Sequence, residues 1–299
     1  MKKHLWAAVA AFVIWGFFSL PLKPLADYSA LTILLFRVVF STFFLLIYLF
    51  NKKHFVKEMK EDWKLLVASE RKKQLFYIIL NALLLAFNWL AFIYTMNNVS
   101  VRATSLAYLI CPILTAFLAV WILKERFVFW QWLSLGISVF ACVLLVKDQP
   151  TDVIAGILVG LSYALFLVFQ KIIFIKRGTL LLFIQLVIGM PFIFLYLYFQ
   201  KEALIIPSSF KFYSLLVVIS FFFTIVPLLL NIYALRGAPS STVGMLLNIN
   251  PLIIFLLSIF YWKEPLDWTQ VVSYSIIFLA VILFNKHLLR SKMLTGHHF

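Results

Sequence analysis

Residues 248–268 read NINPLIIFLLSIFYWKEPLDW, and residues 109–130 read LICPILTAFLAVWILKERFVFW. Setting Pro251 on Pro112 fixes an offset of 139, at which Lys263-Glu264 falls on Lys124-Glu125, Gln270 on Gln131 and Tyr233 on Tyr94. Each copy is an apolar run with a proline near its start and a Lys-Glu pair at its end. A proline within a helix removes one hydrogen bond and crowds the carbonyl four residues back. Kinks or local openings are therefore expected near Leu247 for Pro251 and near Tyr108 for Pro112.

These runs belong to a chain that cannot fold as a water-soluble globule. Of its 299 residues 64% are hydrophobic and 12% charged, with a mean hydropathy of +1.03, which marks an integral membrane protein. A hydrocarbon core of ~30 Å asks for ~20 helical residues at ~1.5 Å each. Ten runs approach that length: 5–22, 28–50, 75–97, 101–123, 128–146, 153–175, 180–199, 213–235, 240–261 and 268–285. They are too long for strands and do not alternate, and lipid tolerates only helices or closed barrels. The basic, then apolar, N-terminus resembles a signal peptide but lacks a small-x-small cleavage site, so it reads as a retained first helix. The expected fold class is an all-α polytopic membrane protein with ten transmembrane helices.

The net charge of +15 suggests nucleic acid only until the basic residues are placed. With the N-terminus cytoplasmic, 19 of the 26 basic residues fall on the inner side, eight of them between Lys52 and Lys73. That bias orients the chain with both termini inside, as a multi-pass protein of the plasma or inner membrane, and removes the need for a nucleic-acid partner. The charged connection 51–73 reads as a solvated cytoplasmic loop with an amphipathic turn around Trp63 lying on anionic lipid. Docking of a partner is its other reading. Cys111 and Cys142 lie inside apolar runs without ligand spacing, so neither a metal nor a disulfide is expected.

The two copies of the quoted stretch contribute spans 4 and 5 and spans 9 and 10. The repeat is thus five helices long, residues 1–148 and 149–299, and an odd number of spans places the second copy upside down. Inverted repeats of this kind support alternating access, in which a central cavity opens to one face and then the other. Weaker echoes agree: Trp15 and Lys23 stand eight residues apart, as do Tyr163 and Lys171.

Polar residues within the spans are the candidate site. Arg37 lies nine residues into span 2, ~14 Å along a helix, too deep to snorkel, so it faces protein or a water-filled cavity. It either bonds neighbouring helices or recognises an anion. Asn81, Leu85, Asn88 and Phe92 follow helical spacing and put both amides on one inward face, as interhelical glue or as cavity lining, with Trp89 beside Asn88. Ser241, Met245 and Asn248 share a face in span 9. Lys23 and Lys171, at helix ends, read as snorkelling. Trp15, Tyr108 and Tyr163 are the remaining candidate cavity walls, and an aromatic cavity with few charges suits a small amphipathic organic molecule. All 11 acidic residues lie in loops or at span ends, so no proton relay, cofactor site or catalytic cluster is expected.

Several of these positions resemble the EamA-type transporters of the drug/metabolite transporter superfamily, and within them the RarD subgroup associated with chloramphenicol sensitivity or resistance. The resemblance covers essentially the whole chain. It is carried by Trp15-Gly16 with Lys23, Asn88-Trp89-Leu90, Asn97, SLAYLICP with Ser105, Tyr108 and Pro112, Gln131-Trp132, Pro227-Leu228-Leu229, Ser241-Thr242, Gly244, Pro251 and Glu264-Pro265-Leu266. The chain differs from the subgroup at Thr32, Phe36, Ala103, Cys111 and Leu247-Asn248. The resemblance implies a transporter of small organic metabolites or drugs, working outward. A non-transporting receptor or assembly protein is the alternative, and a lipid-processing enzyme a weaker one, since Ser-His pairs and intramembrane carboxylates are missing.

Overall fold

The computed structural model describes residues 2–99, 101–145, 150–200, 206–261, 263 and 268–290. Among the described residues the structure is helical, with no strand. In chain order the helices are α1 (Lys2–Gly16), α2 (Ser19–Leu22) with a 3-10 turn (Lys23–Leu25), α3 (Ala30–Phe50), α4 (Lys53–Leu65), α5 (Ala68–Asn98), α6 (Val101–Leu123), α7 (Phe129–Leu145), α8 (Pro150–Ile172), α9 (Gly178–Gln200), α10 (Phe210–Ser220), a π segment (Phe221–Ile225), α11 (Val226–Gly237), α12 (Ser240–Leu246), α13 (Ile249–Phe260) and α14 (Trp268–Arg290).

Seven helical stretches are long and apolar enough to cross a membrane, and three shorter apolar helices, Ala107–Leu123, Phe129–Leu145 and Val271–Lys286, accompany them. Together they fall on the ten expected runs. The boundaries move where polar residues can stay helical outside the bilayer. The third span starts at Ala68 rather than 75, because its Glu-Arg-Lys-Lys turn continues the helix. Likewise, most of the segment read as a loop, 51–73, is helical, with α4 and the first turn of α5. Arg71 closes the joint between them: its Nε donates to the Leu66 carbonyl at 2.9 Å and an Nη to the Lys64 carbonyl at 2.7 Å. These carbonyls at the end of α4 have no helical partner of their own. Trp63 packs onto the main core.

Exposure is inverted relative to a soluble protein. Large apolar side chains such as Phe43, Phe87, Trp121, Phe140 and Phe194 point outward, while Ser41, Asn81, Thr115, Ser134, Gln185, Ser220, Asn231 and Asn248 are buried. Lipid offers no hydrophobic gain for helix association, so close packing and hydrogen bonds must join the helices. α6 shows the packing at its tightest. It runs between α8 and α12, and a Cβ placed on Gly160 of α8 would stand 3.0 Å from the Ala107 carbonyl oxygen, or on Gly244 of α12 2.6 Å from Thr115 Cγ2.

Candidate functional site

α5 carries a ladder of amides on its face toward α8. Gln74 Nε2 donates to the Ile172 carbonyl at 3.3 Å, and its Oε1 accepts from the Phe174 amide at 2.8 Å. Asn81 Nδ2 donates to the Phe166 carbonyl at 3.0 Å. Asn88 Nδ2 donates at 3.0 Å to both the Val159 carbonyl and Ser162 Oγ. The seven-residue spacing repeats the same helical face, so the amide groups of Asn81 and Asn88 join α5 to α8. Gln185 of α9 extends the network, donating to Gln170 Oε1 at 2.7 Å and reaching Asn81 Oδ1 at 3.5 Å.

On the neighbouring turn of α5, the Trp89 ring lies beneath Arg37 of α3, with Cζ 4.6 Å from the ring centre. Phe18, in the turn between α1 and α2, approaches the same guanidinium at 5.8 Å. The Nε of Arg37 is buried and has no hydrogen-bond partner. Arg37's backbone carbonyl, by contrast, accepts from Ser220 Oγ at 3.2 Å, and Ser41 Oγ returns a 3.2 Å bond to the Ser220 carbonyl. These bonds tie α3 to α10 and fix where Arg37 sits. Tyr108 of α6 packs on Phe92 with ring centres 5.6 Å apart and lies within electrostatic range of Arg37. A void of about 10 Å³ adjoins Trp89, Val38, Leu85 and Gln185, room for one water at most.

Trp15 and Tyr163 meet from α1 and α8, ring centres 6.3 Å apart and edge to face. Trp15 Nε1 donates to the Phe223 carbonyl at 2.9 Å. That carbonyl lies in the π segment, four residues before Pro227, where the missing proline N–H and the ring leave it without its helical donor. Tyr163 Oη accepts from Asn231 Nδ2 of α11 at 3.3 Å. Asn248 is buried at the break between α12 and α13, its Nδ2 bonding the Met245 carbonyl at 3.3 Å. Helical geometry is interrupted there, just before Pro251, whereas α6 runs uninterrupted through Pro112. Thr115 Oγ1 bonds the Cys111 carbonyl at 2.8 Å in that part of α6. The structure thus gathers Arg37, Trp89 and Tyr108, with Tyr163 within electrostatic range of Tyr108 and Trp15 edge-on to Tyr163, while Asn88 is engaged with α8 and Asn248 sits at the helix break.

The two lysines that begin the Lys-Glu pairs share a backbone geometry. Lys124 and Lys263 are the non-glycine residues with positive φ among the described residues, at 58° and 54°. The left-handed conformation costs an L-residue roughly 1–2 kcal/mol, and at Lys124 it ends α6 and turns the chain. After Lys124 the turn aims Glu125 at the first residues of α12. Glu125 Oε1 accepts from the Ser240 amide at 2.7 Å and Oε2 from the Ser241 amide at 3.3 Å, and Ser241 Oγ donates to Oε2 as well. A carboxylate there satisfies donors that the helix leaves open and meets the positive end of its dipole. Lys171 occupies the neighbouring helix end: its Nζ donates to the Leu235 carbonyl at 2.5 Å and the Ala238 carbonyl at 2.6 Å. It therefore holds the end of α11 by bonding carbonyls that the helix leaves open. Trp262 and Glu264 to Asp267 lie outside the described residues, as do the side chains of Asn97 and Ser105.

Glu125 was legible only as a helix end; that it binds a helix 115 residues away has no local signal. The same holds for Asn231 and Gln185, single polar residues in apolar runs whose partners lie on other helices.

A many-spanned chain that is helical among its described residues, with polar residues turned inward, is a polytopic membrane protein. The chain belongs to the EamA-like transporter family, whose sequence pattern matches residues 1–147 and again residues 151–286. It is 26% identical to the uncharacterized transporter YojE of Bacillus subtilis (strain 168), covering 99% of this chain and 98% of the relative. It is 27% identical to the protein RarD of Escherichia coli (strain K12), over 93% and 92% of the two chains. A crystal structure superposes with a TM-score of 0.72 over 96% of this chain and 99% of the other at 11% identity, a likeness of fold alone.

Proposed function

We propose that this transporter exports small organic metabolites or drugs across the inner membrane by alternating access between two inverted five-helix halves, residues 1–148 and 149–299. The observation that carries the reading is the recurrence of one backbone event 139 residues apart, Lys124 and Lys263 both in the left-handed region. A strained turn repeated at corresponding ends of spans 4 and 9 is what a duplicated and inverted unit contains. With the termini cytoplasmic, the Glu125 contacts with Ser240 and Ser241 draw span 4 onto span 9 at the inner end, and Lys263-Glu264 is the outer counterpart. Closing one end while the other opens requires the Glu125 contacts to form and release in turn. The outward direction follows the resemblance to a subgroup tied to drug sensitivity.

The test of transport is accumulation of a broad panel of amphipathic drugs and amino acids in cells with and without the protein. Lower accumulation of some members is expected, and no difference across the panel counts against the reading. The test of mechanism is a short thiol cross-link between Glu125→Cys and Ser241→Cys. Flux should stop on cross-linking and return on reduction; undiminished flux at full cross-linking sinks alternating access through this end.

A further inference from the structure

Arg37 is the one charge deep within a span, and its surroundings are incomplete. Trp89 and Phe18 lie 4.6 and 5.8 Å from its Cζ, Nε is buried without a partner, and among the described residues no hydrogen bond or ion pair reaches the guanidinium. The aromatic faces return less by cation–π attraction than an arginine at mid-bilayer costs. They also cannot accept its N–H groups in the manner of an oxygen. An anion would balance the charge and accept the hydrogen bonds together, and a planar carboxylate fits the guanidinium fork with two parallel bonds. Among the described residues no carboxylate reaches it. All the chain's acidic residues lie in loops or at span ends, and Glu125 is engaged with Ser240 and Ser241.

We propose that Arg37 is the recognition point for a carboxylate carried by the transported molecule, with Trp89, and Tyr108 on the facing helix, against its apolar part. This names the substrate class for the transporter reading and rests on it for its biological meaning. The void of about 10 Å³ beside Trp89 and Val38 is too small for such a molecule, so binding accompanies separation of α3 from α5 and α9. A buried charge without a protein partner is tolerated where a ligand periodically supplies one.

The experiment uses the purified full chain and three probes that share one ring and differ in charge: phenylacetate, phenylacetamide and phenethylamine. Calorimetric binding is measured for the unaltered protein, Arg37→Gln and Arg37→Lys, alongside thermal melting of each. Phenylacetate is expected to bind about 10-fold more tightly than the amide, the gain of a charge-assisted pair over a neutral one. Arg37→Gln should remove that difference, and Arg37→Lys should retain a reduced part of it, since lysine keeps the charge but not the fork. Equal binding, or none, of the three probes by the unaltered protein overturns the assignment, as does undiminished preference in folded Arg37→Gln. If Arg37→Gln does not fold, Arg37→Lys decides: weaker phenylacetate binding with unchanged amide binding supports it, and unchanged phenylacetate binding overturns it. Because binding is read without flux, failure of this assignment and failure of the transport reading are distinguishable.

Discussion

At the scale of single residues, Trp15 illustrates how a backbone defect in one helix becomes a bond to another. Pro227 deprives the Phe223 carbonyl of its donor, the helix widens into a π turn over Phe221–Ile225, and the Trp15 indole fills the vacancy from α1 at 2.9 Å. Trp15→Phe keeps the ring and loses the N–H. It should lower stability by ~0.6–1.7 kcal/mol, the range of interhelical hydrogen bonds in membranes, read as a lower unfolding midpoint in detergent. In a Pro227→Ala background the same substitution should cost less, because the helical donor is restored; strictly additive effects would contradict the coupling. Arg37 is the opposite case, a group whose guanidinium has no hydrogen-bond partner among the described residues. Asn88 lies between the two: its residue type and spacing placed it on an inward face, and only the positions of Val159 and Ser162 identify its NH2 as a link between α5 and α8.

At the scale of elements, α6 is the helix on which the packing turns. It approaches α12 where Gly244 meets Thr115, with the Thr115 Cβ only 2.7 Å from where a Gly244 Cβ would stand. The obstructing atom belongs to a side-chain root and cannot swing away, so Gly244→Ala must push the helices apart. The expected loss is ~1–3 kcal/mol of stability, accompanied by weaker transport in vesicles. Gly136 of α7 is the control: a Cβ there meets nothing within 4 Å, and Gly136→Ala should leave stability unchanged or raise it by up to ~1 kcal/mol through helix propensity. Equal melting midpoints for the two variants would exclude tight crossing at Gly244. The prolines of spans 4 and 9 act differently despite their matched positions. Pro251 follows a helix break at Leu247-Asn248, whereas α6 continues through Pro112. A proline's local penalty is the same in both halves; whether the helix parts depends on what packs around it.

At the scale of the whole molecule, the distribution of basic residues predicts the orientation. Lys60 and Lys211 are exposed and lie on opposite sides of the expected membrane. With Lys211→Cys, an impermeant thiol reagent should label intact cells; with Lys60→Cys, labelling should require permeabilisation. The reverse pattern would invert the assignment of inner and outer ends. The buried native thiols, Cys111 and Cys142, should stay silent in both experiments.

Much of this molecule could be read from its letters. Apolar length set the ten spans, because each must satisfy its own backbone inside lipid. The lysines of the two Lys-Glu pairs, 139 residues apart, share a left-handed backbone, and charge asymmetry predicts an orientation. These are local or statistical constraints, and the bilayer imposes them on each segment separately. Contacts between segments were not legible. That α4 is a helix pinned by Arg71, that Glu125 caps α12, that Lys171 holds the end of α11, and that Arg37 rests on Trp89 depend on which helices pack together and at what rotation. In lipid no hydrophobic gradient selects those pairings, so sparse polar groups and small-residue contacts decide them. Only the tertiary structure brings such groups, far apart in the chain, into reach of one another.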